Sequence, residues 1–217
     1  MRVVRTEGEI QMLHVETVLS STLDLLREIQ SHPALSDMRL VGGTALALQL
    51  GHRASVDLDL FGRFNPSMSF KNILQSAGHS VEGAETGEVQ TLFVDGIKVD
   101  LVNYPYDWIA NPVSEEGVVL AGMDDIVAMK LSAAANRGKK KDFIDIVTLI
   151  DRYPLAEMFA RYQQKFAVSE ISFALRGLTY FDDAEDDPMP KMFTSLTWDE
   201  TKSRMQGAVR DFVKFVD

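Results

Sequence analysis

Residues 40–61 read LVGGTALALQLGHRASVDLDLF, and this stretch decides the fold. A short apolar run meets a Gly-Gly pair, a compact apolar segment stops at Gly51, and a second run carries two aspartates two residues apart. The pattern predicts a strand over 38–41, a helix over 44–50 and a second strand over 56–61. Successive strand side chains point to opposite faces, so Asp57 and Asp59 share one face while Leu58 and Leu60 enter a core. Adjacent carboxylates repel each other, and a hard divalent cation such as Mg²⁺ relieves the repulsion. Gly42-Gly43-Thr44 stands where the strand turns into the helix. Backbone amides at such a start hold a phosphate, and glycine admits its close approach. The Thr44 hydroxyl suits either a cap or a phosphate contact. A phosphate cradle followed by a metal-binding carboxylate pair is the plan of a nucleotidyl-transfer site.

A third carboxylate follows from a hairpin. Residues 79–85, 89–94 and 97–103 are β-like runs, and Asp95-Gly96 joins the last two as a tight turn. In IKVDLVNY, Lys98, Asp100 and Val102 share one face and Ile97, Val99 and Leu101 the other. Asp100 is therefore expected beside Asp57 and Asp59. Three carboxylates on two adjacent strands suit two metal ions: one lowers the pKa of an attacking hydroxyl and the other stabilises the leaving pyrophosphate. Asp100 is also the candidate to accept the hydroxyl proton. Just before the aspartates, Arg53 and Ser55 are candidates for phosphate contact, since a guanidinium grips oxyanions bidentately. His52 has no histidine or cysteine partner at metal-ligand spacing.

Composition sets the outer limits. The 217 residues are 46% hydrophobic and 25% charged, an ordinary globular balance. No apolar run is long enough to span a membrane, and MRVVRTEGEIQML lacks the apolar segment of a secretory leader, so a cytoplasmic location is the expectation. The absence of cysteine excludes disulfides and thiolate metal sites. A net charge of −10 argues against broad nucleic-acid binding but leaves room for a local basic patch. Part of the acidic excess falls in Asp182 to Asp187, expected as a solvated loop ahead of Pro188 and Pro190. Further helices are expected over 10–31, 69–77, 124–136, 140–151, 155–166, 168–179 and 197–215, with a short strand at 118–120. The fold class is thus α/β (α+β), a mixed sheet with flanking helices. Residues 1–120 form the catalytic part and 121–217 a helical part completing the cleft.

The chain resembles the nucleotidyltransferase family of AbiEii/AbiGii toxins, within the DNA polymerase β-like superfamily. The resemblance rests on GGTAL (Gly42 to Leu46), His52-Arg53 with Ser55, and DLDLF (Asp57 to Phe61), in that order. A second signature is DDIVAMKLSAAANRGKKKDFIDIVTLI, residues 124–150. There the family pattern falls on Asp125, Lys130, Arg137, Lys141 and Asp142, with Asp145 one turn on. A lysine among Met129, Leu131 and alanines needs an anion for its ammonium. The resemblance makes a bound triphosphate that anion, alongside Gly42, Gly43 and Thr44. Asp142 and Asp145 share a helix face, and either fix Lys130 or Arg137 by ion pairing or touch the nucleotide. Arg137-Gly138-Lys139-Lys140-Lys141 is the basic cluster of an acidic chain, suited to an RNA acceptor.

The resemblance implies a nucleotidyltransferase that binds Mg²⁺ and a nucleoside triphosphate, transfers the nucleoside monophosphate to an acceptor hydroxyl and releases pyrophosphate. It further implies the toxin of a bacterial toxin–antitoxin system, with a cognate antitoxin and tRNA as an acceptor. Two rivals stay open at this point: a nucleotide-binding regulatory protein with little turnover, and a transferase acting on a small hydroxylated antibiotic. No motif is defensible in residues 151–217, whose aromatics are read as core.

Overall fold

Turn chemistry and apolar alternation place most elements where the sequence predicts them. The computed structural model describes residues 12–136, 138–168 and 170–216. Its elements begin with α1 (Ser20–Ser31), β1 (Arg39–Val41), α2 (Gly42–Leu50), β2 (Leu58–Gly62) and α3 (Phe70–Ser76). The meander β3 (Val81–Thr86), β4 (Val89–Val94) and β5 (Ile97–Asn103) follows, then a short hairpin of β6 (Val113–Glu115) and β7 (Val118–Leu120). Five helices complete the chain: α4 (Met123–Asn136), α5 (Lys140–Ile150), α6 (Leu155–Phe166), α7 (Ser172–Gly177) and α8 (Trp198–Val216).

The seven strands form one mixed sheet in the order β3-β4-β5-β2-β1-β7-β6. Strand β1 runs antiparallel to β2 and parallel to β7, and β2 runs parallel to β5. One sheet face is apolar: Leu58, Leu60, Val99 and Leu101 are fully buried. Each such side chain contributes roughly 1.5–3 kcal/mol by leaving water. The buried cluster is continuous from the sheet through Ile126 and Leu131 of α4 and Phe143 and Ile146 of α5 to Met205 of α8. It runs unbroken past residue 120, where the chain changes from sheet to helices. Among the described residues no helix is long and apolar enough to cross a membrane.

The helix expected over 10–31 is divided, and its residues 10 and 11 lie outside the described residues. A single turn at Val15–Thr17 ends at the extended Val18 before α1 starts. His14 donates its amide to Leu48 O (2.7 Å), and Thr17 O accepts from the Ser55 amide (3.0 Å). Those backbone groups are engaged across the fold and cannot also serve a continuous helix. The helix expected over 168–179 shortens to α7; Ala167 adopts φ 51° and stops α6, and Ser169 lies outside the described residues. Strand β6 escapes sequence reading because three residues, Val-Ser-Glu, carry too little pattern.

A buried ion pair ties the helices to the sheet. Lys165 of α6 donates to Asp125 Oδ1 (2.6 Å) and to Asp107 O (3.0 Å). Asp125 of α4 also accepts the amides of Ile109 and Ala110 (3.1 and 3.0 Å). The Lys165 ammonium lies over the rings of Tyr104 and Trp108, an arrangement that adds cation–π attraction to the pair.

Candidate active site

The parallel register between β2 and β5 sets Asp59 directly beside Asp100. Both face away from the apolar core, toward a cleft of about 410 Å³. The floor of that cleft is Asp59, Phe61, Thr91, Asp100 and Val102, and its roof is α4 with Met129, Lys130 and Asn136. Burial pushes the Asp59 carboxyl above the usual carboxylate range; Lys130 opposes the shift and the neighbouring Asp100 charge adds to it. Asp100 ion-pairs with Lys98 through Oδ2, while its Oδ1 is buried without a hydrogen-bond partner among the described residues. Asp59 Oδ2 presses against the glycine turn. Gly42 has φ +69°, and a Cβ there would overlap that oxygen. A side chain at position 42 is thus excluded twice, by conformation and by space.

Asp57 stands apart from this pair. Strand β2 begins at Leu58, two residues later than expected, so alternation along the strand does not reach Asp57. The segment before the strand is pinned instead. The Thr44 hydroxyl donates to Asp57 O and lies 2.8 Å from the Ser55 hydroxyl. Asp57 then lines a second cleft, of about 440 Å³, with Ser55, Lys139, Lys141 and Lys191. Lys141 Nζ is 3.4 Å from Asp57 Oδ2. The three carboxylates therefore straddle two clefts, Asp59 and Asp100 on one side and Asp57 on the other.

Behind the turn lies a buried charge network. Asp145 is fully buried and accepts from His52 Nε2 (2.8 Å), Arg53 Nε (2.6 Å) and Arg53 Nη2 (2.8 Å). Lys130 Nζ reaches Asp145 Oδ2 at 2.6 Å and Asp142 Oδ1 at 3.2 Å. Burial alone would raise the Asp145 carboxyl; the Lys130 and Arg53 charges outweigh it and hold the group well below the usual range. Four contacts saturate its acceptor capacity. Ion pairing with Lys130 is one of the roles the sequence left open for Asp142 and Asp145, and both make that pair. The Arg53 guanidinium also occupies the space beneath Gly43, where a Cβ would overlap Nη2. Network and turn are thus one packed unit.

The residue types suit a divalent cation. Asp57, Asp59 and Asp100 offer only hard oxygen donors. An orphaned Asp100 oxygen, and a neighbouring carboxyl whose ionisation burial disfavours, are what a bound cation would satisfy. Among the described residues no three metal-ligating side chains already stand as an assembled cluster. Asp100 is paired with Lys98, and Asp57 with Lys141.

The family described as nucleotidyl transferase AbiEii toxin, type IV toxin–antitoxin system, matches residues 24–217. The chain belongs to the AbiEii nucleotidyltransferase toxin family. As a member it is a nucleotidyltransferase, and the family places it in the toxin–antitoxin setting that the motifs implied. An uncharacterised protein of Aquifex aeolicus is 28% identical over 198 residues, covering 88% of this chain and 95% of that one. A Helicobacter pylori protein provisionally named a nucleotidyltransferase superposes with a TM-score of 0.59 at 17% identity, over 92% of this chain and 99% of its own. MenT4, a nucleotidyltransferase toxin of Mycobacterium tuberculosis, gives 0.51 at 14% identity, over 85% and 78% respectively. At these identities the two structures share the fold with this AbiEii chain.

Of the residues singled out from sequence, Gly42, Asp59, Asp100 and Lys130 meet at the first cleft, and Arg53, Ser55, Asp57 and Lys141 line the second. Thr44 is buried beneath the turn, anchoring the Asp57 segment rather than facing a cleft. Arg53, too, is almost wholly buried, its guanidinium gripping Asp145 where an oxyanion was expected. Arg137 lies outside the described residues. Lys140 turns inward, its ammonium donating to Glu185 O and Asp187 O at 2.9 and 2.6 Å. The acidic run is correspondingly no free loop, since Asp187 Oδ2 accepts the Lys140 amide at 3.0 Å. His52 and Lys191 were missed as site residues. His52 belongs to the motif that carries the resemblance, but its buried role is not readable there, because its partner is 93 residues away. Lys191 stands in a Pro-rich stretch with no periodicity.

Proposed function

We propose that this AbiEii toxin uses Mg²⁺ to move a nucleoside monophosphate from a nucleoside triphosphate to a hydroxyl of RNA, with tRNA as the acceptor and an antitoxin as its partner. The observation that carries the reading is the carboxylate set divided between two clefts, which supports a reacting phosphate held between two binding spaces.

The nucleoside lies in the first cleft, whose apolar walls Phe61, Val102, Tyr104 and Met129 cover a base and whose Asn136 offers it a polar contact. The glycine turn presents backbone amides at the N-terminus of α2 to the phosphates. Lys130 contributes positive potential at that point without leaving its carboxylates. Asp57, Asp59 and Asp100 would hold the metal ions, which when bound neutralise phosphate charge and acidify the attacking hydroxyl. Asp100 is the candidate to accept the hydroxyl proton, directly or through a bound metal ion. Most of the rate enhancement in this reading comes from position and fixed charge. Residues 121–217 act as the helical part that roofs the cleft through α4.

The test is incubation with Mg²⁺, total RNA and each α-labelled nucleoside triphosphate in turn, with the Asp57→Ala/Asp59→Ala protein as control. Label on a discrete RNA band, lost in the control, is the expected result. Nucleotide binding with no labelled RNA overturns the RNA acceptor, and no nucleotide binding overturns the reading as a whole.

A further inference from the structure

The segment 187–193, Asp-Pro-Met-Pro-Lys-Met-Phe, has no part in the mechanism above, yet its residues 187–191 form one wall of the second cleft. It is held there by backbone bonds. The Ala54 amide donates to Lys191 O (2.8 Å), the Phe193 amide donates to His52 O (3.0 Å), and Arg53 and Met192 form an antiparallel bridge. Lys140 secures its beginning through the carbonyls of Glu185 and Asp187. The Lys191 ammonium stands 5.3 Å from the Phe193 ring centroid, which sets that ring at the border of the cleft Lys191 lines.

The segment and the cleft carry an unusual surface. Phe193 is 42% exposed and Met189 40%, with Val56 at 58% across the cleft. Lys139, Lys141 and Lys191 line the same space, in a chain of net charge −10. Of its two acids, Asp187 is engaged with the Lys140 amide, and Asp57 faces Lys141. The neighbouring Glu185 is taken up by Trp198 Nε1 and Lys202 (2.6 and 2.9 Å). A basic groove bordered by an exposed aromatic ring is the combination that binds unpaired nucleic acid: cations follow the backbone and a ring accepts a base.

We propose that this cleft seats the unpaired 3′ end of the RNA acceptor, with Lys139, Lys141 and Lys191 on its phosphates and a base stacked on Phe193. The proposal rests on the RNA-acceptor reading above and deepens it. It gives that acceptor an entry, places its terminal hydroxyl toward Asp57, and favours a single-stranded end over a duplex.

The experiment measures anisotropy of a labelled single-stranded 12-mer RNA, and of the same sequence as a blunt duplex, against the full chain and its Phe193→Ala, Phe193→Trp and Lys191→Glu variants. Nucleotide affinity is measured in parallel by calorimetry, and a thermal melt verifies folding. Phe193→Ala should weaken single-strand binding by about 5- to 100-fold, and Phe193→Trp should restore it. Lys191→Glu should weaken binding and reduce the salt dependence by about one phosphate contact. Nucleotide affinity should stay within about twofold in all three variants. Single-strand affinity unchanged in Phe193→Ala and Lys191→Glu overturns the proposal, as does a preference of the wild type for the duplex. Loss of nucleotide affinity in Lys191→Glu with RNA affinity intact also overturns it, and assigns the cleft to the triphosphate. If the wild type labels RNA while the variants bind RNA unchanged, the inference fails and the acceptor reading stands. If the wild type neither labels nor binds single-stranded RNA, both fail.

Discussion

Replacing Asp145 by Asn tests the idea that buried charge holds the catalytic turn in place. Asp145 accepts from Arg53 at 2.6 and 2.8 Å, from His52 at 2.8 Å and from Lys130 at 2.6 Å, all in a fully buried setting. Asparagine keeps one acceptor oxygen and turns an amide donor toward a cation. Arg53 and Lys130, 2% and 3% exposed, would then share Asp142 as their nearest anion. Breaking a buried pair from one side costs about 3–5 kcal/mol, because it strands an unneutralised charge. At roughly 2–4 °C per kcal/mol for a chain of this size, the melting temperature should fall by about 6–20 °C. The folded-state pKa of Asp145 is depressed, so its stabilisation is complete above the unfolded carboxylate value of about 3.9 and fades as pH falls toward the folded value. Urea unfolding of wild type and variant should therefore show a constant gap from about pH 8 to pH 5 that narrows below about pH 4. A loss under about 1 kcal/mol at pH 7, or a gap that widens on acidification, would refute the argument.

Three further outcomes follow from the same geometry. Asp59 has a raised folded-state pKa, so its ionised form opposes folding at neutral pH and not below the unfolded value. Asp59→Asn should raise the melting temperature at pH 7 in metal-free buffer, lose that gain near pH 3, and cut transfer to below about one-hundredth. Gly43→Ala drives a methyl group into Arg53 Nη2. It should lower both stability and transfer, and Gly43→Ala/Arg53→Met should lose less stability than the sum of the two single losses, because the clash is gone once Arg53 is, read by thermal melts. Lys165→Met removes the cation of a fully buried pair with Asp125, and should cost about 3 kcal/mol in a urea titration.

The fold was legible where a local pattern dictates it. Asp95-Gly96 fixes the β4–β5 turn, and Gly51 at φ 68° ends α2 as a helix stop should. The alternation of Lys98, Asp100 and Val102 against Val99 and Leu101 gave the face of β5 correctly. The helix read over 10–31 misled because its apolar spacing is helical while the backbone of residues 14 and 17 finds remote partners, Leu48 and Ser55. Periodicity reports which side chains want burial; it carries no information on which backbone groups a distant segment will claim.

The same distinction governs the site. Residue types named the chemistry: paired aspartates in a strand pattern are unfavourable without a cation, and a glycine pair before a helix opens backbone amides to a phosphate. Partners were harder. A lysine or arginine beside acids in sequence can reach a phosphate or a carboxylate, and spacing does not decide between them. Packing does: α5 brings Asp145 under the glycine turn, and Arg53 fills the volume that Gly43 leaves open. An arginine committed to two carboxylate oxygens behind the turn already has its space and its charge taken. Nor could the sequence single out Lys191 and Phe193, because their bearing on the site comes from two backbone bonds to residues 52 and 54. A Pro-rich stretch is read as a loop on composition. That it lies across Arg53 depends on Lys140 turning inward to seize the carbonyls of residues 185 and 187, a choice made by tertiary packing against Trp198.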